Sequence, residues 1–383
     1  MLMASAVPLS FSTWSVLINN FTIEVGGFTG AQFGILQSLR EVPGFLAFLV
    51  VFLLLVVKEQ KVALVSLLLL GIGTSATGFF PTAVGLYFTT VLMSVGFHYY
   101  ETIQNSLSLQ WIDRKRAPYV LGKLIAVGSF SSLLAYGAVF MGLTWFSRSY
   151  ETLFLVGGIA SIVIAILAWS IFPHYTSDFT QNTQIVLRKR YWLFYVLTFL
   201  SGARRQIFVV FAGFMMVEKF GYSASDITIL FLINCGINIW LAPLIGKMVV
   251  RWGERRTLIC EYIGLAVVFA TYAFVESAVL ATVLYIIDHL FFAMAIAIKT
   301  YFQKIADPAD IASSAGVSFT INHIAAVVLP VVLGFVWLSS PSLVFLCGAA
   351  FAVLSLIMSL MVPGDPTTGS ETRRIIQRST FQV

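Results

Sequence analysis

Long apolar stretches, separated by short polar connections, follow one another along almost the whole 383-residue chain. Hydrophobic residues make up 59% of the chain and charged residues only 10%, against about 25% charged residues in an ordinary soluble domain. This composition cannot supply the polar surface of a soluble fold, so lipid must cover most of the exterior. A membrane-spanning helix needs roughly 20 apolar residues, because no backbone polar group can stay unpaired in lipid. The sequence therefore predicts an all-α membrane protein.

Twelve stretches are long and apolar enough to be predicted as transmembrane helices. They cover residues 4–23, 31–57, 62–80, 84–111, 118–145, 152–172, 191–217, 224–250, 257–275, 278–303, 312–338 and 342–362. The longest connection, from His174 to Arg190, separates two sets of six. We therefore expect a six-helix bundle over residues 1–173, a cytoplasmic linker over 174–190, a second six-helix bundle over 191–363 and a cytoplasmic tail over 364–383.

Lysine and arginine lie almost entirely on one side of these predicted helices. They cluster in the tail and in the connections that follow even-numbered stretches, for example at 114–116 and 188–190, whereas the opposite connections hold only Arg148 and Lys219. Basic loops stay in the cytoplasm, so we expect both termini on the cytoplasmic side of a bacterial inner membrane. The net charge of +6 is then an orientation signal, and a nucleic-acid partner is not expected.

The two halves of the chain match each other at a nearly constant offset. Gly27–Thr29 matches Gly221–Ser223, 194 residues later, and Thr90–Leu92 recurs 192 residues later as Thr282–Leu284. Each match is short, but a shared offset indicates a duplicated six-helix unit in parallel orientation.

The connection after the eighth stretch carries a motif. Residues 246–256 read Gly-Lys-Met-Val-Val-Arg-Trp-Gly-Glu-Arg-Arg. This segment resembles the major facilitator signature G-x-x-x-D-R-x-G-R-R, with Val250 in place of the aspartate and Glu254 in place of one arginine. The copy expected after the second stretch is reduced to residues 58–61, Lys-Glu-Gln-Lys. The resemblance, which covers the whole chain in length, number of stretches and repeat, implies two six-helix bundles related by a pseudo-two-fold axis and alternating-access transport.

Ionisable side chains deep in the apolar stretches mark candidate functional positions, because they are costly unless they face the bundle interior. They are Arg40, Glu41, His98, Glu101, Arg204, Arg205, Asp288, His289 and His323. The third, sixth, ninth and twelfth stretches are expected to contain none at depth. In the major facilitator fold these four helices form the outer ring and the other eight line the central cavity, which agrees with this distribution.

Two carboxylate–imidazole clusters are candidates for proton coupling. His98, Glu101, Thr102 and Asn105 share one helix face, and Asp288 precedes His289. A carboxyl group beside an imidazole in a low-dielectric environment is suited to exchange a proton, whereas the alternative is a set of satisfied interhelical hydrogen bonds. We also assign to proton coupling or gating His323, Arg40 and Glu41, the last two beside a kink predicted by Pro43 and Gly44.

Arg204 and Arg205 are adjacent, so their side chains diverge by about 100° around the helix. We expect one to face the solute and the other to pair with a neighbouring helix. A guanidinium binds carboxylate or phosphate through two parallel hydrogen bonds, which favours a small polar, anionic solute. The alternative is that all the deep arginines pair with the deep carboxylates. The other predicted solute-binding residues are Asn19, Asn234, Asn238, Asn322 and Tyr99.

The main alternative function is a proton-driven exporter of drugs or metabolites, although the exporter motif G-x-x-x-G-P-x-x-G-G is absent from the fifth stretch. A transport-inactive protein with the same fold would not need the deep charges. We expect no enzyme activity, no cofactor and no metal: the sequence has no G-x-x-x-x-G-K-[ST] loop and no H-E-x-x-H or Cys/His cluster, and its cysteines are Cys235, Cys260 and Cys347. We expect a monomer in the lipid bilayer that binds a small-molecule solute and protons.

Overall fold

The computed structural model describes residues 1–50, 53, 56–111, 117–171, 187–307 and 311–373. Within these residues the regular secondary structure is helical, apart from one isolated bridge between Thr367 and Ser370. The α-helices of the first half are α1 Leu2–Asn20, α2 Gly30–Phe45, α3 Glu59–Thr77, α4 Ala83–Trp111, α5 Ala117–Thr144 and α6 Tyr150–Ile171. Those of the second half are α7 Trp192–Ile207, α8 Gly213–Glu218, α9 Ala224–Trp252, α10 Glu254–Tyr272, α11 Ala278–Phe292, α12 Ile296–Ile305, α13 Ile311–Ser339 and α14 Pro341–Ser359.

Some neighbouring helices form one continuous stretch. A π turn over Phe208–Ala212 joins α7 to α8, and a 3₁₀ turn over Ala293–Ala295 joins α11 to α12. Among the described residues, eight helical stretches are long and apolar enough to cross a membrane. The helix α9 is bent by 53° between Ala224–Ile239 and Leu244–Trp252, and the count is nine if these two parts form one span. The count of twelve transmembrane helices in two six-helix bundles stays a prediction. The linker residues 174–186 and the tail beyond residue 373 lie outside the described residues.

The repeated sequence has the same local structure in both copies. Gly27 and Gly221 both adopt positive φ angles, 61° and 67°, a backbone conformation that glycine adopts without strain. Two residues later, Thr29 and Ser223 each accept a hydrogen bond on the side chain from the backbone N–H three residues on. In return, the backbone N–H of each donates to the side chain of that residue, Gln32 or Asp226. This reciprocal capping box begins α2 and α9. The short sequence matches therefore encode a turn followed by a helix start.

The chain divides into two compact units. Unit 1 contains Met1–Thr183, Val210–Cys235 and Pro330–Leu338, and unit 2 contains Gln184–Val209, Gly236–Leu329 and Ser339–Val383. Each boundary in the second half falls inside a helical stretch, because α8, the first part of α9 and the last part of α13 belong to unit 1 together with the first half of the chain. A division by contacts thus differs from a division by sequence repeat.

In unit 1, α3 packs against α4 and α6, while α1 packs against α5 and α6. These helices approach closely where a glycine of one helix meets the backbone of the next. A Cβ on Gly96 of α4 would lie 2.3 Å from the backbone nitrogen of Leu70 on α3. Small residues at such crossings are typical of membrane helices, where close backbone approach replaces the hydrophobic drive of water.

In unit 2, α10 packs against α14 and α11, and α7 packs against α14. An aromatic core lies at one end of this unit, formed by fully buried Tyr191, Tyr262 and Tyr301 together with Phe194 and Phe302. It is closed by polar contacts: the Tyr301 hydroxyl donates to the backbone carbonyl of Glu371 at 2.5 Å, and the backbone N–H of Asp307 donates to the Tyr191 hydroxyl at 3.0 Å.

Candidate functional site

Arg204 is buried near the middle of the continuous stretch Lys189–Glu218. Its Nη2 donates to Oε1 of Glu261 on α10 at 3.5 Å, and its Cζ lies 4.5 Å from the centre of the Tyr262 ring. The exposed fractions of Arg204, Glu261 and Tyr262 are 1%, 0% and 0%. A buried guanidinium needs a partner of opposite charge, so this contact, with its cation–π component, fixes α7 against α10.

Glu261 is absent from the deep ionisable residues predicted above. The prediction that the ninth stretch contains none is wrong, because Glu261 on α10 is fully buried. That prediction starts the stretch at residue 257, which places Glu261 close to its end, whereas α10 begins at Glu254, almost a turn earlier. The sequence does hold a signal: Glu261 is an acid next to Tyr262 in an otherwise apolar run. Arg204 therefore pairs with Glu261, which is not among the deep carboxylates predicted from the sequence.

Arg205 lies on a different face of α7. It is exposed, and its Cζ lies 5.7 Å from the centre of the Phe292 ring. The two adjacent arginines thus have different surroundings, as their angular separation on a helix requires: Arg204 is buried against α10, whereas Arg205 is exposed beside Phe292.

Asp288 and His289 are adjacent in sequence but have different surroundings. Asp288 is buried on α11. The His289 Nδ1 lies 2.9 Å from the backbone carbonyl oxygen of Tyr285, and its ring packs against Phe208 with ring centres 5.8 Å apart. The His289 ring is therefore held by its own helix and by Phe208, and it is not part of the Arg204–Glu261 pair.

In unit 1, Arg40 and Glu41 form a buried pair on α2. The Arg40 Nε donates to Oε1 of Glu41 at 3.0 Å, and the Arg40 Nη2 contacts the same oxygen. The Arg40 Cζ lies 5.9 Å from the Trp14 ring, and its backbone carbonyl accepts from the Ser94 hydroxyl of α4. This pair connects α2 with α1 and α4.

The polar face predicted on α4 is only partly described. His98 is buried and meets the Phe97 ring edge to face, with ring centres 4.8 Å apart, and the Thr102 hydroxyl donates to the His98 backbone carbonyl at 2.8 Å. Glu101 is exposed, and the side chain of Asn105 lies outside the described part of the chain. On α13, the buried His323 has its Nδ1 2.8 Å from the backbone carbonyl oxygen of Phe319.

The predicted solute-binding asparagines fall into both units. In unit 1, Asn19 and Asn234 are buried, and the Asn19 Oδ1 and both amide atoms of Asn234 have no hydrogen-bond partner among the described residues. In unit 2, a Cβ on Gly202 would meet the Asn322 Oδ1 at 2.1 Å, so Asn322 packs directly on α7. Asn238 and Tyr99 are half-buried. A buried amide without a partner is costly, and it marks a position where a polar ligand or water would be favourable.

One end of unit 1 is closed by a contact between α2 and residues 330–338 of α13, which we call the α2–α13 contact. The backbone N–H of Val331 donates to the buried Ser38 hydroxyl oxygen at 3.1 Å. A Cβ on Gly34 would lie 2.1 Å from the Pro330 carbonyl oxygen. The Trp337 Nε1 donates to Oε2 of Glu218 at 2.9 Å. The packing at this end is therefore too close to admit a solute between α2 and α13.

A family model described as Major Facilitator Superfamily matches residues 1–330. The structure is also similar to solved transporter structures. The crystal structure of the nucleoside transporter NupG aligns with a TM-score of 0.75 at 15% identity, covering 94% of this chain and 96% of that one. A bacterial homologue of the human lysosomal transporter Spinster, in an inward-facing and occupied conformation, aligns with a TM-score of 0.74 at 12% identity, covering 98% and 97%. No curated protein sequence matches significantly.

Proposed function

Because this chain belongs to the major facilitator superfamily, we propose that it is a proton-coupled secondary transporter that moves a small polar, anionic solute by alternating access. In this proposal residues 1–173 and 191–363 are the two six-helix bundles, and the protein acts as a monomer in a bacterial inner membrane. The asymmetry of lysine and arginine supports cytoplasmic termini. The α2–α13 contact then closes the outer end of the pathway.

The exposed guanidinium of Arg205 is the main observation in favour of an anionic solute. It lies near the middle of the stretch Lys189–Glu218, where a charged group is stable only if water or a partner reaches it. Arg204, one residue earlier, is buried against Glu261 and is closed to a solute. Because Arg205 is exposed, it is the better placed of the two to bind a carboxylate or phosphate through paired hydrogen bonds.

The polar character of the solute is supported by the amides in unit 1. Asn19 and Asn234 are buried with amide atoms that have no partner in the described part of the chain, and a solute with hydroxyl, amide or carboxylate groups would satisfy them. The names of the similar structures concern a nucleoside transporter and a homologue of a lysosomal transporter. At 12–15% identity these names do not pass to this chain, so nucleosides are included among the solutes to be tested.

Uptake by the purified protein in liposomes tests the proposal. The panel contains radiolabelled mono- and dicarboxylates, phosphorylated metabolites and neutral nucleosides, each measured with and without a pH gradient. For an anionic solute, Arg205→Lys should weaken binding about 10-fold or more, because an ammonium cannot reproduce the two parallel hydrogen bonds. Arg148→Lys, at an exposed turn, is the matched control and should bind normally.

Three outcomes separate the alternatives. Transport of an anion that depends on Arg205 supports the proposal. Transport of cationic dyes driven by the pH gradient, with normal binding in Arg205→Lys, would instead support the proton-driven exporter. Transport of the anion with unchanged binding in Arg205→Lys would show that Arg205 does not bind the solute.

A further inference from the structure

The chain stays attached to unit 2 after its last helix. Residues 362–373, which we call the strap, fold back at the end of unit 2 that holds the aromatic core. Val362 belongs to that core and is fully buried, and Pro363 and Pro366 are buried as well. The first part of the predicted tail is therefore packed against unit 2.

Two hydrogen bonds close the strap on itself. The backbone N–H of Arg373 donates to the carbonyl oxygen of Met361 at 2.7 Å, so the two ends of the strap meet. The backbone N–H of Gly369 donates to Oε1 of Glu371 at 3.0 Å. The strap is thus a closed loop with a defined geometry.

Three contacts attach the strap to other elements of unit 2. The Tyr301 hydroxyl of α12 donates to the carbonyl oxygen of Glu371 at 2.5 Å, and Oε1 of Glu371 lies 4.0 Å from Nη1 of Arg190 at the end of the linker. A Cβ on Gly253, in the turn between α9 and α10 that lies within the motif 246–256, would be 3.8 Å from the carbonyl oxygen of Gly364. The strap therefore joins α12, the motif turn and the linker end.

Arg190 connects the strap to a second group of contacts at the linker end. Its Nη2 donates to the Tyr191 hydroxyl at 2.6 Å and contacts the Asp307 carboxylate. The Tyr191 hydroxyl also accepts the backbone N–H of Asp307 at 3.0 Å. A single exposed ion pair contributes little to stability, but these contacts share one guanidinium, and contacts within one network are energetically coupled.

We propose that the strap is a conformational latch that fixes the linker end to unit 2. While the strap is docked, Glu371 holds Arg190, and Arg190 holds Tyr191 and Asp307, so that the strap and the linker end form one cooperative unit. When the strap undocks, Arg190 loses the Glu371 carboxylate, and the linker end is released together with the strap. Because the linker joins the two repeated halves of the sequence, docking of the strap sets where this connection begins. The latch goes beyond the transport function proposed above and does not depend on the solute.

Hydrogen exchange, measured by mass spectrometry on the full-length purified protein without a solute, tests the latch. Glu371→Gln keeps an oxygen for the Gly369 N–H but removes the charge that faces Arg190. It should speed exchange of the Asp307 amide about 3- to 10-fold, because exchange follows the locally open population and one such contact contributes modestly. Arg190→Gln should speed exchange of the Gly369 and Arg373 amides to a similar extent, because coupling between two sites is reciprocal.

Asp365→Asn is the matched control. It removes an exposed acid from the same strap and should leave the exchange of both elements at the wild-type rate. Slow exchange of the α7 amides shows that a variant is folded, and if one of the two test variants fails to fold, the other is sufficient.

Two results would overturn the proposal. If the Gly369 and Arg373 amides of the wild type exchange as fast as those of an unstructured peptide, the strap is not docked in solution. If Glu371→Gln leaves Asp307 at the wild-type rate, or Arg190→Gln leaves the strap at its wild-type rate, the strap and the linker end open independently. Because no solute is present, these results are separate from a failure to transport any solute of the panel.

Discussion

Gly34→Ala should open the α2–α13 contact by a calculable amount. A Cβ at position 34 would lie 2.1 Å from the Pro330 carbonyl oxygen and 3.1 Å from the Gly334 Cα, both backbone atoms that cannot rotate away. Ordinary contact begins at 3.4 Å, so α2 and α13 must move apart by 1.3 Å at this point. Forcing one extra methyl into a close-packed site costs about 1–3 kcal/mol. This energy lowers the ratio of the closed to the open form by about 5- to 150-fold.

The assay is the reactivity of a cysteine at Ser38, which is buried in the same contact. In a background without the three native cysteines, Ser38→Cys should react slowly with a maleimide in detergent. Adding Gly34→Ala should accelerate the reaction about 5- to 150-fold, since labelling then follows the open population. Gly137→Ala, where a Cβ has nothing within 4 Å, is the matched control and should leave the rate unchanged. Equal rates in Gly34→Ala and the control would show that this packing does not determine closure.

Three further predictions follow from single positions. If Glu101 carries a coupling proton, Glu101→Gln should abolish accumulation driven by a pH gradient but leave solute exchange intact, whereas unchanged accumulation would exclude Glu101. Lys304→Gln should lower stability by roughly 1 kcal/mol, because its Nζ lies 2.9 Å from the buried Glu254. Reversing both charges should restore the unfolding temperature, and a single variant that melts like the wild type would refute the effect. In intact cells an impermeant maleimide should label a cysteine at position 148 but not one at position 367, and labelling at 367 would contradict the predicted orientation.

The sequence was most informative where one residue type has a single structural explanation. Gly27 and Gly221 match in the repeat, and both have the positive φ that a turn before a helix requires. The adjacent Arg204 and Arg205 diverge because helix geometry separates neighbouring side chains. These features depend only on local spacing, so they could be predicted without a structure. The family fold was predictable for the same reason, since its signature and its repeat are both local patterns.

Partners across helices could not be predicted in the same way. Arg204 pairs with Glu261, 57 positions further along the chain, and no local pattern relates the two. The internal pairing of Arg40 with Glu41 is one of the alternatives that the sequence left open, and only side-chain positions decide it. The division of the chain into two units also depends on long-range contacts, because α8, the first part of α9 and the last part of α13 pack with the first half.

Solute-driven proton movement tests the central claim most directly. The purified protein is reconstituted in liposomes that contain a pH-sensitive dye, and a transported solute from the panel is added outside without any preset gradient. A proton-coupled transporter should change the internal pH in a direction that identifies symport or antiport. The change should be lost when a protonophore is present, and it should be lost in Asp288→Asn if that residue carries the coupling proton. Solute uptake at the normal rate with no change in internal pH would contradict proton coupling.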